Sequence, residues 1–178
     1  MAKVNVGLDL GTSSIKLVAL LEQDKQYKLL SFASTPTPIP GMASDSDHDL
    51  EVLANAIKKI FIATKIDSNQ VVVAIPESRV FTRIIDDLPY LSDAELPSAI
   101  KYAAEEFIPM SVADVNLIWQ VLGRTNEKDK KPRTIVFVVA SPKNIINKYI
   151  KVLNMAGLTP IALETEIIAS ARSLVGSN

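Results

Sequence analysis

The sequence contains no cysteine. Disulfide staples and thiolate metal sites are therefore excluded, and a reducing compartment suits the composition. The single histidine, His48, cannot build a histidine-rich metal site or a catalytic triad by itself. No charge of one sign dominates. The 19 basic residues face 20 acidic ones, a net charge of −1, which gives no general pull toward nucleic acid or an anionic membrane. No apolar run reaches the roughly 18–20 residues of a membrane span, and the first residues read as a strand rather than a signal peptide. Neither Gly-x-x-x-x-Gly-Lys-[Ser/Thr] nor Gly-x-Gly-x-x-Gly occurs, so P-loop and Rossmann chemistry have no support. These absences lead to the expectation of a soluble, cytoplasmic protein. What is present is a chain of 178 residues, 48% hydrophobic, enough for a real core and for one or two compact units.

The most informative stretch is Gly7-Leu-Asp-Leu-Gly-Thr-Ser-Ser-Ile-Lys16. Val4, Val6, Leu8 and Leu10 alternate before the turn, and Ile15, Leu17, Ala19 and Leu21 alternate after it. That period on both sides predicts a β-hairpin. The turn residues have chemistry of their own. Asp9 can hold a hydrated cation or a water, and Gly11 allows close approach of the backbone to an anion. Thr12, Ser13 and Ser14 offer hydroxyls and successive N–H groups that can form an anion-binding nest. Lys16 follows as a point charge for phosphate. Turns favour these residue types for backbone reasons too, so the pattern alone fits an ordinary hairpin equally well.

The rest of the chain reads as mixed α and β. A strand over Tyr27–Ala33 extends the hairpin. Pro36, Pro38, Pro40 and Gly41 predict an extended surface loop after it, with His48 in its polar end. A helix follows, with Asp47 and Asp49 at its start and Leu50, Leu53, Ile57, Ile60 and Phe61 as its buried face. Val71–Ile75 reads as a central strand closed by Pro76. A second unit begins near Arg79. Its strand covers Val80–Ile85. Ser92-x-x-Glu95 is a capping box opening a helix whose apolar face is Leu96, Ile100, Ala103 and Phe107. Strands follow at Val115–Leu122, with Trp119 directed to the core, and at Thr134–Ala140. Between them Gly123–Arg133 is a charged hairpin connection with Arg124, Lys128, Lys130, Lys131 and Arg133 beside Glu127 and Asp129. Ser141-Pro142 reads as an N-cap and first helical position. That helix runs through Ile146, Ile150 and Leu153 and stops at Gly157, with Pro160 beyond. Pro160–Leu163 is a short strand, and Thr165 caps a last helix over Glu166–Leu174. No catalytic constellation is visible in the second unit. Asp86, Asp87, Asp93, Glu95, Glu105 and Glu106 read as cap, loop or solvent-face carboxylates.

The 7–16 stretch resembles the first phosphate loop of the actin/sugar-kinase/Hsp70 ATPase fold. Further segments narrow the likeness. Val73-Ala-Ile-Pro76, Phe81-Thr-Arg-Ile-Ile-x-x-Leu-Pro89, Glu95-Leu-x-x-Ala-Ile-x-x-Ala-Ala-Glu-x-Phe-Ile-Pro109 and Ala156-Gly-Leu-x-Pro160 resemble the PilM family of type IV pilus assembly. Glu164-x-Glu166 with Ala169-x-Ala-Arg172 resembles the family's return from an insert to its first domain. The family commonly carries an acidic residue near Ile118, which this chain lacks.

The resemblance implies an α/β fold: an actin-like (ribonuclease H-like) first subdomain over 1–78 plus 158–178, with an inserted SHS2-like α+β subdomain at 79–157. It implies ATP and Mg binding, with Asp9, Gly11, Thr12, Ser13, Ser14 and Lys16 at the phosphates and Asp9 reaching the metal indirectly. It implies a cytoplasmic scaffold, peripheral to the inner membrane, with other pilus platform proteins around it. The partner is the N-terminal cytoplasmic peptide of a PilN-type membrane protein, held between subdomain and insert near Pro76–Arg83 and Leu158–Glu164. Such a fold closes its nucleotide between two halves. The end at Asn178 therefore leads to the expectation of a truncated chain or split gene product that binds ATP weakly. No general base is identifiable, so turnover by the 178 residues is not expected. Nucleic acid and direct membrane insertion are not expected. The alternatives are an FtsA-like division protein, a GspL-like type II secretion protein and, as the enzyme rival, a sugar or acetate kinase.

Overall fold

A computed structural model describes residues 3–125 and 131–175. The chain divides into two compact units, Met1–Glu77 with Asn147–Asn178, and Ser78–Ile146.

The first unit is built on a five-stranded sheet. The expected hairpin is present as β1 (Lys3–Leu10) and β2 (Ser14–Gln23), and β3 (Gln26–Pro36) continues the meander. β4 (Gln70–Ile75) and β8 (Thr159–Thr165) complete the order β3-β2-β1-β4-β8. β1, β4 and β8 run parallel, and β2 and β3 run antiparallel to their neighbours. The alternation has the expected outcome. Val6, Leu8, Leu10, Ile15, Leu17, Ala19, Val71, Val73 and Ile75 are buried on one face, whereas Gly7, Lys16 and Val18 are exposed on the other. α1 (Asp47–Thr64) buries the full predicted face, Leu50, Leu53, Ile57, Ile60 and Phe61. His48 stands exposed in its first turn rather than in a loop.

Two expectations for this region change. β3 does not stop at Ala33: it pairs as far as Pro36, opposite Ser14. A proline is tolerated there because β3 is an edge strand, where a missing N–H leaves no ladder bond unmade. The proline-rich segment is also not a plain surface loop. Gly41 opens a 3-10 turn, is buried and has a φ of +60°, and a Cβ there would approach the Thr37 methyl to 2.9 Å.

The second unit has three antiparallel strands in the order β5-β7-β6: β5 (Phe81–Pro89), β6 (Val115–Thr125) and β7 (Arg133–Pro142). α2 (Leu96–Ala104) packs Leu96 and Ile100 against Ile85, Leu88, Val136 and Val138. Ala104 is buried in place of the expected Ala103 and Phe107, which are half-buried at the margin of the core. Only half of the expected capping box forms: Glu95 accepts from the Ser92 N–H at 2.9 Å, but the Ser92 hydroxyl donates to the same carboxylate at 2.6 Å instead of capping the helix, which begins later, at Leu96. Trp119 departs from expectation. It is 37% exposed, because β6 is an edge strand and the core takes its neighbours Leu117 and Val121 instead. Lys128, Lys130, Glu127 and Asp129 of the charged connection lie outside the described residues.

α3 (Lys143–Met155) begins one residue later than the Ser141-Pro142 signal suggests, because Ser141 and Pro142 are the last residues of β7, opposite Asn116 and Val115. Its residues from Asn147 onward group with the first unit, where Lys148 donates to the Ser44 carbonyl at 3.2 Å and Lys151 pairs with Asp47. The second unit thus ends at Ile146, ahead of the expected end of the insert at 157. Gly157 ends the helix at φ +80°: the Leu158 N–H donates to the Leu153 carbonyl and the Gly157 N–H to Asn154, which satisfies the last carbonyls. α4 (Glu166–Val175) follows β8, and the Thr165 hydroxyl accepts from the Ile168 N–H at 3.4 Å. Among the described residues no helix is long and apolar enough to cross a membrane.

Candidate functional site

The hairpin turn sits between β1 and β2, and its register sets the site. Asp9 and Lys16 are cross-strand partners on the face opposite the core. Their side chains meet at 2.9 Å. The hydrogen bond and charge of Asp9 raise the Lys16 pKa above its ordinary value of 10.5, the charge of Glu166 adds to this, and slight desolvation opposes it. With the lysine side chain 59% exposed, the pair contributes only about 0–1 kcal/mol to stability. The expectation of a lysine free for phosphate is thus modified: Lys16 is engaged by Asp9, and an incoming anion shares it. The other Asp9 carboxylate oxygen, Oδ1, is buried without a hydrogen-bond partner. A buried acceptor of that kind is costly unless something donates to it or coordinates it.

Gly11 follows with no room for a side chain. A Cβ would come within 2.9 Å of the Ser14 carbonyl oxygen and 3.8 Å of both Asp9 carboxylate oxygens. Thr12 and Ser13 are exposed at the tip, and Ser14 begins β2 half-buried. The turn is tied down by a residue that the sequence did not single out. Thr37 donates its hydroxyl to the Gly11 carbonyl at 2.7 Å and its N–H to the Ser13 carbonyl at 3.1 Å. No local signal reveals Thr37 across the intervening strands; its role follows from the extension of β3 past Ala33.

The strand order brings a second carboxylate, Glu164, to the same face. Asp9 registers with Ala74, and Ala74 with Glu164, so Glu164 lies two strands from Asp9 on one row. Arg172 donates to Glu164 at 2.6 Å. A cavity of about 460 Å³ opens here, lined by Asp9, Lys16, Val18, Ala74, Glu164 and Ser173. It lies at the carboxyl ends of parallel strands, where open α/β sheets place their ligands. Among the described residues no cluster of three or more acidic, histidine or cysteine side chains could hold a metal by itself.

A meander led by a Gly-Thr-Ser-Ser turn, entering a sheet whose other strands are parallel, defines a protein of the actin-like ATPase fold. Comparison with known proteins agrees and is more particular. Residues 7–176 match the model of the type IV pilus assembly protein PilM, so the chain belongs to the PilM family. It is similar to a solved PilM-PilN type IV pilus biogenesis complex, with 27% identity and a TM-score of 0.81. That match covers 96% of this chain and 49% of the solved one, so the chain spans about half the length of this relative. The cytoplasmic domain of EpsL, an inner-membrane component of the type II secretion system of Vibrio cholerae, shares the fold at 15% identity and a TM-score of 0.57. There the match covers 91% of this chain and 57% of the other.

Proposed function

We propose that the protein acts as a cytoplasmic actin-like scaffold of the type IV pilus inner-membrane assembly platform, and that it captures the N-terminal cytoplasmic peptide of a PilN-type membrane protein. The observation that carries this reading is the similarity, across nearly the whole chain, to a PilM solved in complex with PilN. The 79–146 part of the second unit, with one helix packed on a three-stranded antiparallel sheet, supports its reading as an SHS2-like insert. The type II secretion alternative has only a fold likeness behind it.

The turn is the first phosphate contact of an ATP site in this reading. The residues fit the group. The bare Gly11 backbone, the exposed Thr12 and Ser13, and the unpartnered Asp9 oxygen suit an anion and its hydrated cation. Asp9 would hold Mg through water, and Lys16 would share its charge between Asp9 and a phosphate oxygen. Bound Mg would neutralise phosphate charge.

A labelled peptide matching the first ten or so residues of the cognate PilN-type protein tests the partner by fluorescence anisotropy. Ordering the peptide costs free energy, so the expected dissociation constant is about micromolar. Equal binding of a scrambled peptide overturns the proposal. In the full-length protein, Lys16→Ala is expected to weaken Mg-ATP binding about ten- to hundredfold in calorimetry. An unchanged affinity makes Lys16 merely a partner of Asp9.

A further inference from the structure

The sheet of the second unit leaves β5 open on one side. β5 pairs with β7 from Phe81 to Pro89, and among the described residues no strand pairs with its other side. α2 and the turn after it flank that open edge. A cavity of about 320 Å³ lies between, lined by 83–89 of the strand and by Ala99, Tyr102, Ala103, Glu106 and Phe107. The two alanines leave the groove its width, and the Tyr102 ring is mostly exposed beside it. Arg83 lies against the Phe107 ring, 5.4 Å from its centre.

The charge of this groove is one-sided. Asp86 and Asp87 form a bulge between the paired residues Ile85 and Leu88, and Glu106 faces the same space. None of the three carboxylates has a side-chain partner among the described residues; of the nearby cations, Arg83 is stacked on Phe107 and Arg133 donates to the Asp86 backbone carbonyl at 3.4 Å rather than to a carboxylate. We propose that this groove takes an extended basic peptide, which adds as a strand to the free edge of β5 and sets lysine or arginine side chains against Asp86, Asp87 and Glu106. The backbone groups of an open strand supply affinity without reading sequence, and the flanking side chains supply selectivity. A bulge and adjacent acids on an edge are also a device against indiscriminate pairing. Here they select: a second copy of β5 would bring its own Asp86 and Asp87 against these, whereas a basic strand is drawn in. The proposal stands on the second unit alone and is independent of the pilus reading.

Fluorescence anisotropy on the intact 178-residue chain tests it. The probe is a labelled peptide of about ten residues, alternating lysine with threonine and valine. A second probe carries glutamate in place of each lysine, and a third has alternate residues replaced by proline, which cannot donate to a ladder. The lysine peptide is expected to bind about tenfold more tightly than either control and to weaken as salt is raised. The Asp86→Lys, Asp87→Lys double variant is expected to lose about tenfold in affinity for it. Glu106→Lys, on the exposed side of the groove, gives the same readout if the bulge variant does not fold. Equal binding of the glutamate peptide, equal binding of the proline peptide, or full binding by the folded variants would each overturn the proposal.

Discussion

The two units treat their polar residues in opposite ways. In the first, Asp9 near the carboxyl end of β1, Lys16 near the start of β2 and Glu164 near the carboxyl end of β8 hold one another or a near neighbour, while Thr37 pins the turn from below. In the second, Asp86 and Asp87 protrude from an edge bulge, Glu95 accepts from Ser92 in the turn ahead of a helix, and Asp93 pairs with Arg124 at the surface. The first arrangement is built from inside the sheet, and its geometry depends on backbone contacts. The second is built on sheet edges, and water does most of the solvating. A substitution near the turn of the first unit should therefore act through shape, and one on the edges of the second through charge.

The largest effect tests whether the units are separable at all. Ile100 is fully buried in the second unit and Ile57 in the first. Truncating either to alanine is expected to cost about 2–5 kcal/mol. The only tryptophan, Trp119, lies in the second unit, so its fluorescence reports that unit while far-ultraviolet circular dichroism reports both. Ile100→Ala should move the fluorescence midpoint, and Ile57→Ala should move mainly the dichroism. If both variants shift both signals equally, the two units unfold as one and the contrast collapses.

Gly11→Ala comes next. The added methyl meets a backbone carbonyl at 2.9 Å, which cannot swing away as a side chain could. The turn must shift, at a cost of about 1–3 kcal/mol. Chemical denaturation measures it, and an unchanged midpoint would show that the turn gives way freely. Thr37→Val is milder. It removes the donor to the Gly11 carbonyl at nearly constant volume, and about 1 kcal/mol is expected, with faster amide exchange at residues 11–14. Unchanged exchange would mean that the Thr37 N–H alone holds the turn.

The smallest effect belongs to the Ser92–Glu95 turn ahead of α2. The Ser92 hydroxyl and N–H both donate to Glu95 and hold its carboxyl below the ordinary value of 4.5. A lowered native value means that the stabilisation is present above 4.5 and fades as pH falls through the lower native value. Ser92→Ala should therefore lower the melting temperature slightly at neutral pH, and its curve should meet the parent's in acid. A gap that stays constant down to strong acid would remove Glu95 from the account.

Legibility differed between the units for a physical reason. The hairpin, α1 and its buried face were readable because strict alternation and helical spacing report burial directly when a core lies on one side. Trp119 was misread because alternation says which face a residue occupies, not whether that face is covered at the edge of a sheet. Ser141-Pro142 carried a good cap signal, but the pairing of β6 with β7 kept both residues in the strand. Local propensity lost there to a ladder whose other half lies some twenty-five residues away.

By itself the sequence determined the α/β class, the Gly-Thr-Ser-Ser turn, the glycine stop at Gly157 and the resemblance to the PilM family. These depend on the period and chemistry of neighbouring residues, which the chain carries wherever it goes. The tertiary structure alone decided that Asp9 engages Lys16, that Thr37 supports the turn, and that Glu164 shares a row with Asp9. It also decided that the free edge of β5 lies beside α2 to make an acidic groove. Each of these joins residues distant in the chain, and strand order, which no local pattern encodes, sets which of them meet.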